Sequence, residues 1–379
     1  MKTAIQAFQT VEKIYTGAGC LRAVAEAAVF GPRCLVVTGR SSMRASGVLR
    51  RVVDYLQDAA LQVWVFEGVE EDPGVATVDA IRARIRETGA EFVVGLGGGS
   101  AMDAAKAAGG LAAEADATAV FLHEQRRAGR GIPIVAVATT SGTGAEATPN
   151  AVICDPAARV KASIRNGHFL PSMAVVDPEL TISCPPRVTA HSGMDAITQA
   201  IESFVSIHAT PLSDAFAFEA FRLLWGSLPH AYADGKDVTT RSACSYGSLM
   251  AGIALANARL GAVHAIAHPL GIRYRIPHGL ACAVLAPEVV KANLAFSAGK
   301  FGRLSDAAGT DIVEGLRRLN RSMRIYEDFA QYTIPEEEFG LLAGESLPSG
   351  SMKANPRKFT RDDVIDVLRA VTRSGGGSA

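Results

Sequence analysis

Short β-rich runs alternate with amphipathic helical runs through the first half of the chain, and this alternation restricts the fold more than any other feature. Apolar residues at helical spacing occupy 47–59 and 75–89. Strands that alternate with helices of this length indicate βαβ units and a parallel sheet. We predict strands at 34–39, 61–69, 91–100 and 131–140, with a further strand within 174–180.

The pattern changes after the segment SCPPRVTA (183–190), where strand signals fade and long helical runs begin. The double proline at 185–186 is a natural boundary, and 379 residues exceed one ordinary core. We therefore predict an α/β domain at 1–184 and an all-helical domain at 185–379. The predicted helical runs are 193–206, 211–228, 241–271 and 278–295.

Charge and cysteine content restrict the partners and the compartment. Lys+Arg and Asp+Glu both number 38, so the formal net charge is zero, which argues against nucleic acid or an anionic membrane as partner. The segment MKTAIQAFQT lacks the apolar core of a secretory signal, and no run of 18 uncharged apolar residues is present. The six cysteines are scattered without a CxxC pair, which favours reduced thiols in a cytoplasm. The tail SGGGSA (374–379) has the composition of a flexible linker.

The segment GLGGGSAMDAAK (95–106) joins a predicted strand to a predicted helix through three consecutive glycines. It departs from the Rossmann fingerprint, because Ser100 stands where the third glycine belongs, and it lacks the GK[ST] of a P-loop. The glycines still let a ligand approach the backbone, and Ser100 with Asp103 is spaced as a capping box. The N–H groups at such a helix start bind phosphate. The alternative is a tight turn without a ligand.

A second loop, ATTSGTGAEATPN (138–150), follows the next predicted strand and is rich in small hydroxyl residues and glycine. Such a loop can line a nucleotide with hydroxyl donors and backbone N–H groups. Ligands of open α/β sheets bind at the carboxyl ends of strands. Two such loops at neighbouring strand ends therefore favour a nucleotide site over plain surface loops.

Three of the eight histidines lie close together, in the stretch GAVHAIAHPLGIRYRIPHG. His264 and His268 are four residues apart, so a helix places them on one face, and His278 follows a short loop. They can be metal ligands, proton-transfer groups or packing residues. A divalent metal would also favour a further anionic ligand. The best candidate is Asp195, with Gln199 one helical turn further on the same face.

Seven collinear segments carry a family resemblance: GGGSAMDAAK (97–106), TTSGTGAEATPNAVI (139–153), DPEL (177–180), GMDAITQAIESFVS (193–206), GAVHAIAHPLG (261–271), PHG (277–279) and NPRKFTRDDV (355–364). Together they resemble the iron-containing (group III) alcohol dehydrogenases over nearly the whole chain. The resemblance implies an α/β N-terminal dinucleotide-binding domain with a parallel sheet and an all-α C-terminal domain for the metal and catalysis. Dehydroquinate-synthase-like proteins share this architecture.

The resemblance implies roles for residues in both predicted domains. Asp195, His264 and His278 are implied ligands of a divalent metal. His268 is the implied proton-transfer group beside the nicotinamide and the substrate. For the cofactor, the resemblance implies that the pyrophosphate binds the turn at 97–100, here called the glycine turn. It implies that the dinucleotide extends along the loop at 138–150, here called the hydroxyl loop. The implied residues are Gly97, Gly98, Gly99, Ser100, Asp103, Thr139, Thr140 and Thr143.

One position departs from the family's metal site. The family carries a histidine four residues after the aspartate, where this chain has Gln199, and an amide oxygen is a weaker donor than imidazole for Fe²⁺ or Zn²⁺. Gln199 can remain a fourth ligand in a looser site, or it can drop out and leave a two-histidine, one-carboxylate set. The third alternative is a metal-free reductase that uses His268. Cys282, where the family often has Asn, can alter the pocket but is more simply a packing residue.

The end of the first predicted strand departs from the pattern of NAD-preferring relatives. Those relatives tend to carry an aspartate there for the ribose hydroxyl, whereas this chain has Gly39 in TGRSSMRASG (38–47). Ser41 and Ser42, with arginines at 40 and 44, suit the 2′-phosphate of NADP. The alternative is that both arginines are solvated surface charges and that the cofactor is NAD.

These patterns predict an NAD(P)-dependent, metal-assisted oxidoreductase that interconverts a small alcohol and its aldehyde or ketone. The alternatives are a metal-free NAD(P)H reductase and a catalytically degenerate nucleotide-binding protein, which only Gln199 favours. The tight HxxxH with PHG argues against glycerol-dehydrogenase-like or dehydroquinate-synthase-like chemistry. The resemblance also implies a homo-oligomer, a dimer or larger.

Overall fold

The structure, a computed structural model, describes residues 7–158 and 160–376, with side chains up to residue 373. The first six residues and the end of the predicted linker-like tail lie outside the described residues. Two compact units are present. One comprises Val11–Pro185 and Asp234–Leu249, and the other comprises Pro186–Ala233 with residues 7–10 and 250–376. The stretch at 234–249 belongs to the sheet-containing unit. A single boundary in the chain therefore does not separate the two units.

The first unit is built on a six-stranded sheet in the order β1-β8-β5-β4-β2-β3, in which every pairing is parallel. The parallel sheet and its five predicted strands are confirmed. The edge strand β1 and an antiparallel hairpin, β6 with β7, were not predicted. The strands are β1 Lys13–Thr16, β2 Arg33–Gly39, β3 Gln62–Val69, β4 Phe92–Gly97, β5 Ile134–Ala138, β6 Asn150–Asp155, β7 Val160–Arg165 and β8 Met173–Val176.

Helices follow the sheet strands and make up nearly all of the second unit. The α-helices are α1 Ser42–Ala45, α2 Val48–Asp58, α3 Val75–Thr88, α4 Gly99–Gly110, α5 Thr118–Glu124, α6 Pro186–Val205, α7 Pro211–Ala233, α8 Val238–Ala258, α9 Ala262–Tyr274, α10 His278–Asn293, α11 Ala298–Ala308, α12 Ile312–Ser322, α13 Ile325–Phe329, α14 Phe339–Ser346, α15 Gly350–Ala354 and α16 Arg361–Gly376. Short 3₁₀ segments are Cys20–Phe30, Ala145–Ala147, Gly167–Phe169, Pro178–Thr181, Leu294–Phe296 and Glu336–Glu338.

Both faces of the sheet are buried, which explains why its strands read as continuous apolar runs. In β2, Leu35 and Val37 pack in one core with α3, α4 and α5. Cys34 and Val36 point to the opposite face and pack with α2 and the Cys20–Phe30 segment. Polar groups are therefore concentrated at the carboxyl ends of the strands, where a ligand can reach the backbone.

In the second unit, α10 packs against α6, α9 and α12. A glycine permits the close approach of α10 to α6. A Cβ added at Gly279, in the first turn of α10, would lie 2.2 Å from the main-chain oxygen of His191 on α6. No side chain fits at this point, so the two helices meet through their backbones. This contact places His278 beside the face of α6 that carries Asp195.

By length and composition, the described residues contain one helical segment, His278–Phe296, that is apolar enough to cross a membrane. A sharply bent pair, α8 with α9, passes the same test as one broken span. Within His278–Phe296, 61% of the apolar window is buried inside the protein. Burial in the core of the helical unit accounts for that composition.

Candidate metal and cofactor sites

The glycine turn lies between β4 and α4. Helix α4 begins at Gly99 with Gly98 as its N-cap, and no described side chain caps it. The predicted capping box of Ser100 and Asp103 is therefore wrong, because the N-cap is Gly98 and the helix starts two residues too early for Ser100 to be its cap. Ser100 Oγ instead accepts a hydrogen bond of 3.3 Å from the main-chain N–H of Asp72. A first turn without a side-chain cap leaves N–H groups to bind an anion.

The hydroxyl loop packs directly on the glycine turn, because β4 and β5 are neighbours in the sheet. Thr139 donates its main-chain N–H to a carbonyl of the turn at 3.0 Å. A Cβ added at Gly98 would lie 3.3 Å from Thr140 Oγ1, and one added at Gly99 would lie 2.7 Å from Thr143 Cγ2. The glycines thus let the threonines border the same stretch of exposed backbone.

A buried ion pair fastens the hydroxyl loop to α4. Lys106 Nζ lies 3.1 Å from Asp103 Oδ1 and donates at 2.9 Å to both Ala145 O and Thr148 Oγ1. Asp103 Oδ2 accepts from the main-chain N–H of Val152 at 2.9 Å. Burial raises the pKa of Asp103 and lowers that of Lys106. The Asp103–Lys106 pair therefore holds the hydroxyl loop and the start of β6 against α4 through internal contacts.

A cavity of about 480 Å³ lies at the carboxyl ends of β2 and β3. One of the two arginines predicted to meet a 2′-phosphate, Arg40, borders it. The other, Arg44, forms a bidentate ion pair with Glu67. The cavity is lined by Gly39, Arg40, Ser41, Ser42, Val69, Glu70 and Glu71.

Side chains from three helices converge in the second unit. The potential ligand atoms of Asp195, His264, His278 and Cys282 all lie within 4.8 Å of one another. Asp195 Oδ1 is 3.1 Å from His264 Nε2 and 3.9 Å from His278 Nε2. Cys282 Sγ is 3.7 Å from His278 Nε2. Metal–ligand bonds of about 2.0–2.3 Å in a tetrahedron separate neighbouring ligand atoms by roughly 3.3–3.6 Å. The four side chains could therefore hold one ion if the longer separations shorten by up to about 1 Å.

Glu202 fixes the orientation of His264. Its Oε2 lies 2.6 Å from His264 Nδ1, and its carboxylate also accepts the main-chain N–H groups of Gly261 at 2.9 Å and Val263 at 2.6 Å. A carboxylate at Nδ1 keeps the proton on that nitrogen and leaves the lone pair of Nε2 for a metal. Carboxylate, histidine and ligand position therefore form the arrangement common to protein metal sites.

Gln199 lies at the cluster and supports Asp195. Its Nε2 donates to Asp195 Oδ2 at 3.0 Å, and charge sets this orientation, because the amide oxygen would be repelled by the carboxylate. Gln199 Oε1 is buried and has no hydrogen-bond partner among the described residues. Gln199 thus offers one atom to Asp195 and keeps one unsatisfied acceptor.

The charges of the cluster are strongly coupled. Burial opposes ionisation of Asp195, but the hydrogen bond from His264 contributes to a net lowering of its pKa. Burial also disfavours a charged His264, yet Cys282, Asp195 and Glu202 raise its pKa well above the ordinary value. Burial raises the pKa of the Cys282 thiol to about 12. Acidic groups surround a buried imidazole here, which is an environment suited to a cation.

His268 lies one turn after His264 on α9, and its ring centroid is 5.4 Å from that of His278. Its side chain is partly exposed, unlike the buried His264. A group at the edge of the cluster can meet both a substrate and solvent, which proton transfer requires. Another nearby histidine, His191, is bound to Asp328 at 2.8 Å.

Two residues of the cluster escaped the sequence reasoning. The sequence pattern does not single out Glu202, and it favours a packing role for Cys282. A signal existed for both. Glu202 follows Asp195 by seven residues and therefore shares its helix face. Cys282 follows His278 by four residues on α10 and likewise shares its face.

Comparisons with known proteins identify the family to which this chain is similar. The family model described as iron-containing alcohol dehydrogenase matches residues 11–178, and the model of the family's C-terminal part matches residues 189–372. The NAD-dependent methanol dehydrogenase of Bacillus methanolicus is 32% identical over 349 residues, covering 89% of this chain and 91% of that protein. The NADPH-dependent butanol dehydrogenase of Clostridium saccharobutylicum is 32% identical over 384 residues, covering 96% and 97%.

The solved structures lead to the same group. The crystal structure of a 1,3-propanediol oxidoreductase matches with a TM-score of 0.92 at 32% identity, covering 97% of this chain and 100% of that one. The match extends over both units, each of which carries its own part of the predicted site. This chain belongs to the iron-containing alcohol dehydrogenase family.

Proposed function

We propose that this chain is an NADP-dependent, metal-assisted oxidoreductase that interconverts a small alcohol and its aldehyde or ketone. The observation that carries the proposal is the cluster of ligand atoms within 4.8 Å of one another, with Glu202 behind His264. Asp195, His264 and His278 would hold a divalent metal, Fe²⁺ or Zn²⁺. Gln199 shares the site through its hydrogen bond to Asp195.

When bound, the cation supplies Lewis acidity toward an alcohol or carbonyl oxygen, and the nicotinamide exchanges the hydride. The side chains supply position and proton transfer. With the cation bound, Glu202 would hold the Nδ1 proton of His264, so that Nε2 would serve as a ligand and not as an acid. His268 takes the proton of the alcohol during oxidation and returns it during reduction, a task suited to imidazole near neutral pH.

The cofactor is proposed to place its pyrophosphate at the start of α4 and to extend along the hydroxyl loop. Two observations support this placement: no described side chain caps α4, and the loop threonines border the glycine backbone. The proposed cofactor-binding residues are Gly39, Ser41, Ser42, Gly97, Gly98, Gly99, Ser100, Thr139, Thr140 and Thr143, and Asp103 supports the turn through its internal contacts.

NADP is proposed over NAD because Gly39 leaves no carboxylate at the end of β2 and Arg40 borders the adjacent cavity. Glu70, which lines the same cavity, is engaged internally by the Gly74 N–H at 2.7 Å and the Thr77 hydroxyl at 2.8 Å. Arg44 is paired elsewhere, so the proposal relies on Arg40 alone for a charged contact to the 2′-phosphate.

The test combines elemental analysis of protein purified without chelator with NADPH and NADH oxidation on a panel of short aldehydes. Near-stoichiometric iron or zinc, with activity lost on chelation and restored by metal, supports the proposal. Activity without metal would replace it with a metal-free reductase that uses His268. Cofactor binding without turnover of any aldehyde would identify a degenerate nucleotide-binding protein.

We further propose a cytoplasmic homo-oligomer, a dimer or larger, with a small-molecule substrate and no nucleic acid or membrane partner. All six cysteines are free, as expected in a reducing compartment. Light scattering of the purified protein measures the assembly, and a monomeric mass would contradict the oligomer.

A further inference from the structure

We infer that Cys282 is a thiolate ligand of the metal, completing a set with Asp195, His264 and His278, and that Gln199 is a positioning residue for Asp195. The inference rests on the proposed metal-assisted function. It assigns the fourth protein ligand to α10 and not to α6, where the family resemblance places it.

The position of the sulfur carries the first part of the inference. Cys282 is fully buried, and its Sγ lies 3.7 Å from His278 Nε2, within the same 4.8 Å cluster as the carboxylate and imidazole atoms. His278 and Cys282 are one turn apart on α10, so both side chains leave the same face of the helix. A buried cysteine in a packing role looks different: Cys34 on β2 lies in an apolar cluster.

The hydrogen bonding of Gln199 carries the second part. Its Nε2 is committed to Asp195 Oδ2 at 3.0 Å, which leaves Oδ1, the atom 3.1 Å from His264 Nε2, to the metal. Carboxylate ligands are commonly held by such outer hydrogen bonds. A thiolate is also a much stronger donor than an amide oxygen for Zn²⁺ or Fe²⁺, so Cys282 would displace Gln199 as a ligand.

Charge balance agrees with this assignment. One carboxylate and one thiolate neutralise a divalent cation, and the two imidazoles bind in their neutral form. The metal–sulfur bond forms as the S–H bond breaks, and the thiol proton passes to solvent. A soft sulfur ligand shifts the preference of the site toward Zn²⁺.

Cobalt substitution tests the ligand directly and without any activity measurement. The full chain is stripped with chelator and loaded with one equivalent of Co²⁺. A cobalt–thiolate bond gives an intense near-ultraviolet charge-transfer band, whereas the visible d–d bands report coordination number. The band is expected in the wild-type protein and in the control Cys154→Ser, whose half-buried cysteine lies on β6 outside the cluster.

The band is expected to disappear in Cys282→Ser and in Cys282→Ala, which removes the sulfur without adding a polar atom. Both variants should bind Co²⁺ at least about tenfold more weakly. Gln199→Ala should keep the band and the coordination number while also losing affinity.

Four outcomes would overturn the assignment. Visible d–d bands without a charge-transfer band in the wild-type protein, or a band that survives removal of Cys282, would exclude the thiolate but leave metal assistance standing. A lower coordination number in Gln199→Ala would make Gln199 a ligand. No cobalt binding by the wild-type protein would overturn both the inference and the metal-assisted function.

Discussion

The glycine turn and the cluster of candidate metal ligands are constructed in opposite ways. The turn is contiguous in sequence and presents backbone, with glycines 98 and 99 making room for the hydroxyl loop. The cluster takes side chains from α9 and α10, which follow each other in sequence, and from α6, which lies more than 50 residues earlier. A backbone site fails when volume is added to it, whereas a side-chain site fails when a single functional group is removed. Gln199 and Cys282 both lie at the cluster and are alternative candidates for its fourth ligand.

The largest expected effect is the loss of the metal on removing one charge. Asp195→Asn keeps the shape of the side chain but replaces an anionic ligand with a neutral one. We expect undetectable metal after dialysis and a fall in kcat/KM of roughly a thousandfold, about 4 kcal/mol of transition-state stabilisation. The matched control is Asp328→Asn, which removes a carboxylate bound to His191 outside the cluster. Retained metal in Asp195→Asn would refute the proposed site.

A smaller effect is expected at the residue behind the ligand. Glu202→Gln weakens the hold on His264 Nδ1 and on the first turn of α9, so metal affinity should fall by about 10- to 100-fold. Competition with a chelating dye measures the dissociation constant. Glu219→Gln on α7, which removes a surface partner of Arg222, should leave it unchanged. An unaltered affinity in Glu202→Gln would reduce Glu202 to a helix cap.

We expect cofactor binding at the glycine turn to be weakened by added side-chain volume and not by the loss of a functional group. In Gly99→Ala the new methyl group would lie 2.7 Å from Thr143 Cγ2, so the loop must shift at a cost of about 1–3 kcal/mol. We expect KM for the cofactor to rise by roughly 5- to 100-fold with metal content unaffected. Gly167→Ala, where a Cβ meets nothing within 4 Å, is the control. A change in metal content in Gly99→Ala would remove the distinction between the two sites.

An effect on stability alone, and not on metal or cofactor, is expected from a buried carboxyl group in the sheet-containing unit. Burial raises the pKa of Glu146 to about 7 from an ordinary 4.5. The folded state therefore holds a proton that the unfolded state has lost, and stability falls as pH rises from about 4.5 to about 7. Glu146→Gln should be about 1–3 kcal/mol more stable than wild type at pH 8 and nearly equal at about pH 4, below the ordinary pKa. Urea unfolding at the two pH values measures this difference, and the same difference at both would contradict it.

The main sheet could be predicted because its strands are buried on both faces and read as apolar runs between helices. The strands that escaped prediction lack that property. Strand β1 is only four residues long and lies at the sheet edge, and the hairpin β6–β7 mixes polar and apolar residues. Its formation depends on the pairing of two weak strands, which no local pattern reveals.

For the candidate site, helix periodicity predicts only which residues share one face of the same helix. The spacing of His264 and His268 is visible in the sequence. By contrast, an acid such as Glu202 reads as a solvated helix face, and Cys282 reads as a small apolar residue. Their roles come from the packing of α10 against α6 and α9, and the sequence does not give that packing.

The contact of Gly279 with the main chain of α6 has a further consequence for how such a centre can change. Because backbone meets backbone there, the spacing between the two helices does not depend on which side chains line the space beyond. The distance between α6 and α10 is therefore fixed by their backbones, and the side chains in the space between them can be exchanged. An engineer who seeks a different metal in this protein should vary the residues at 195, 199, 264, 278 and 282 and leave Gly279 untouched.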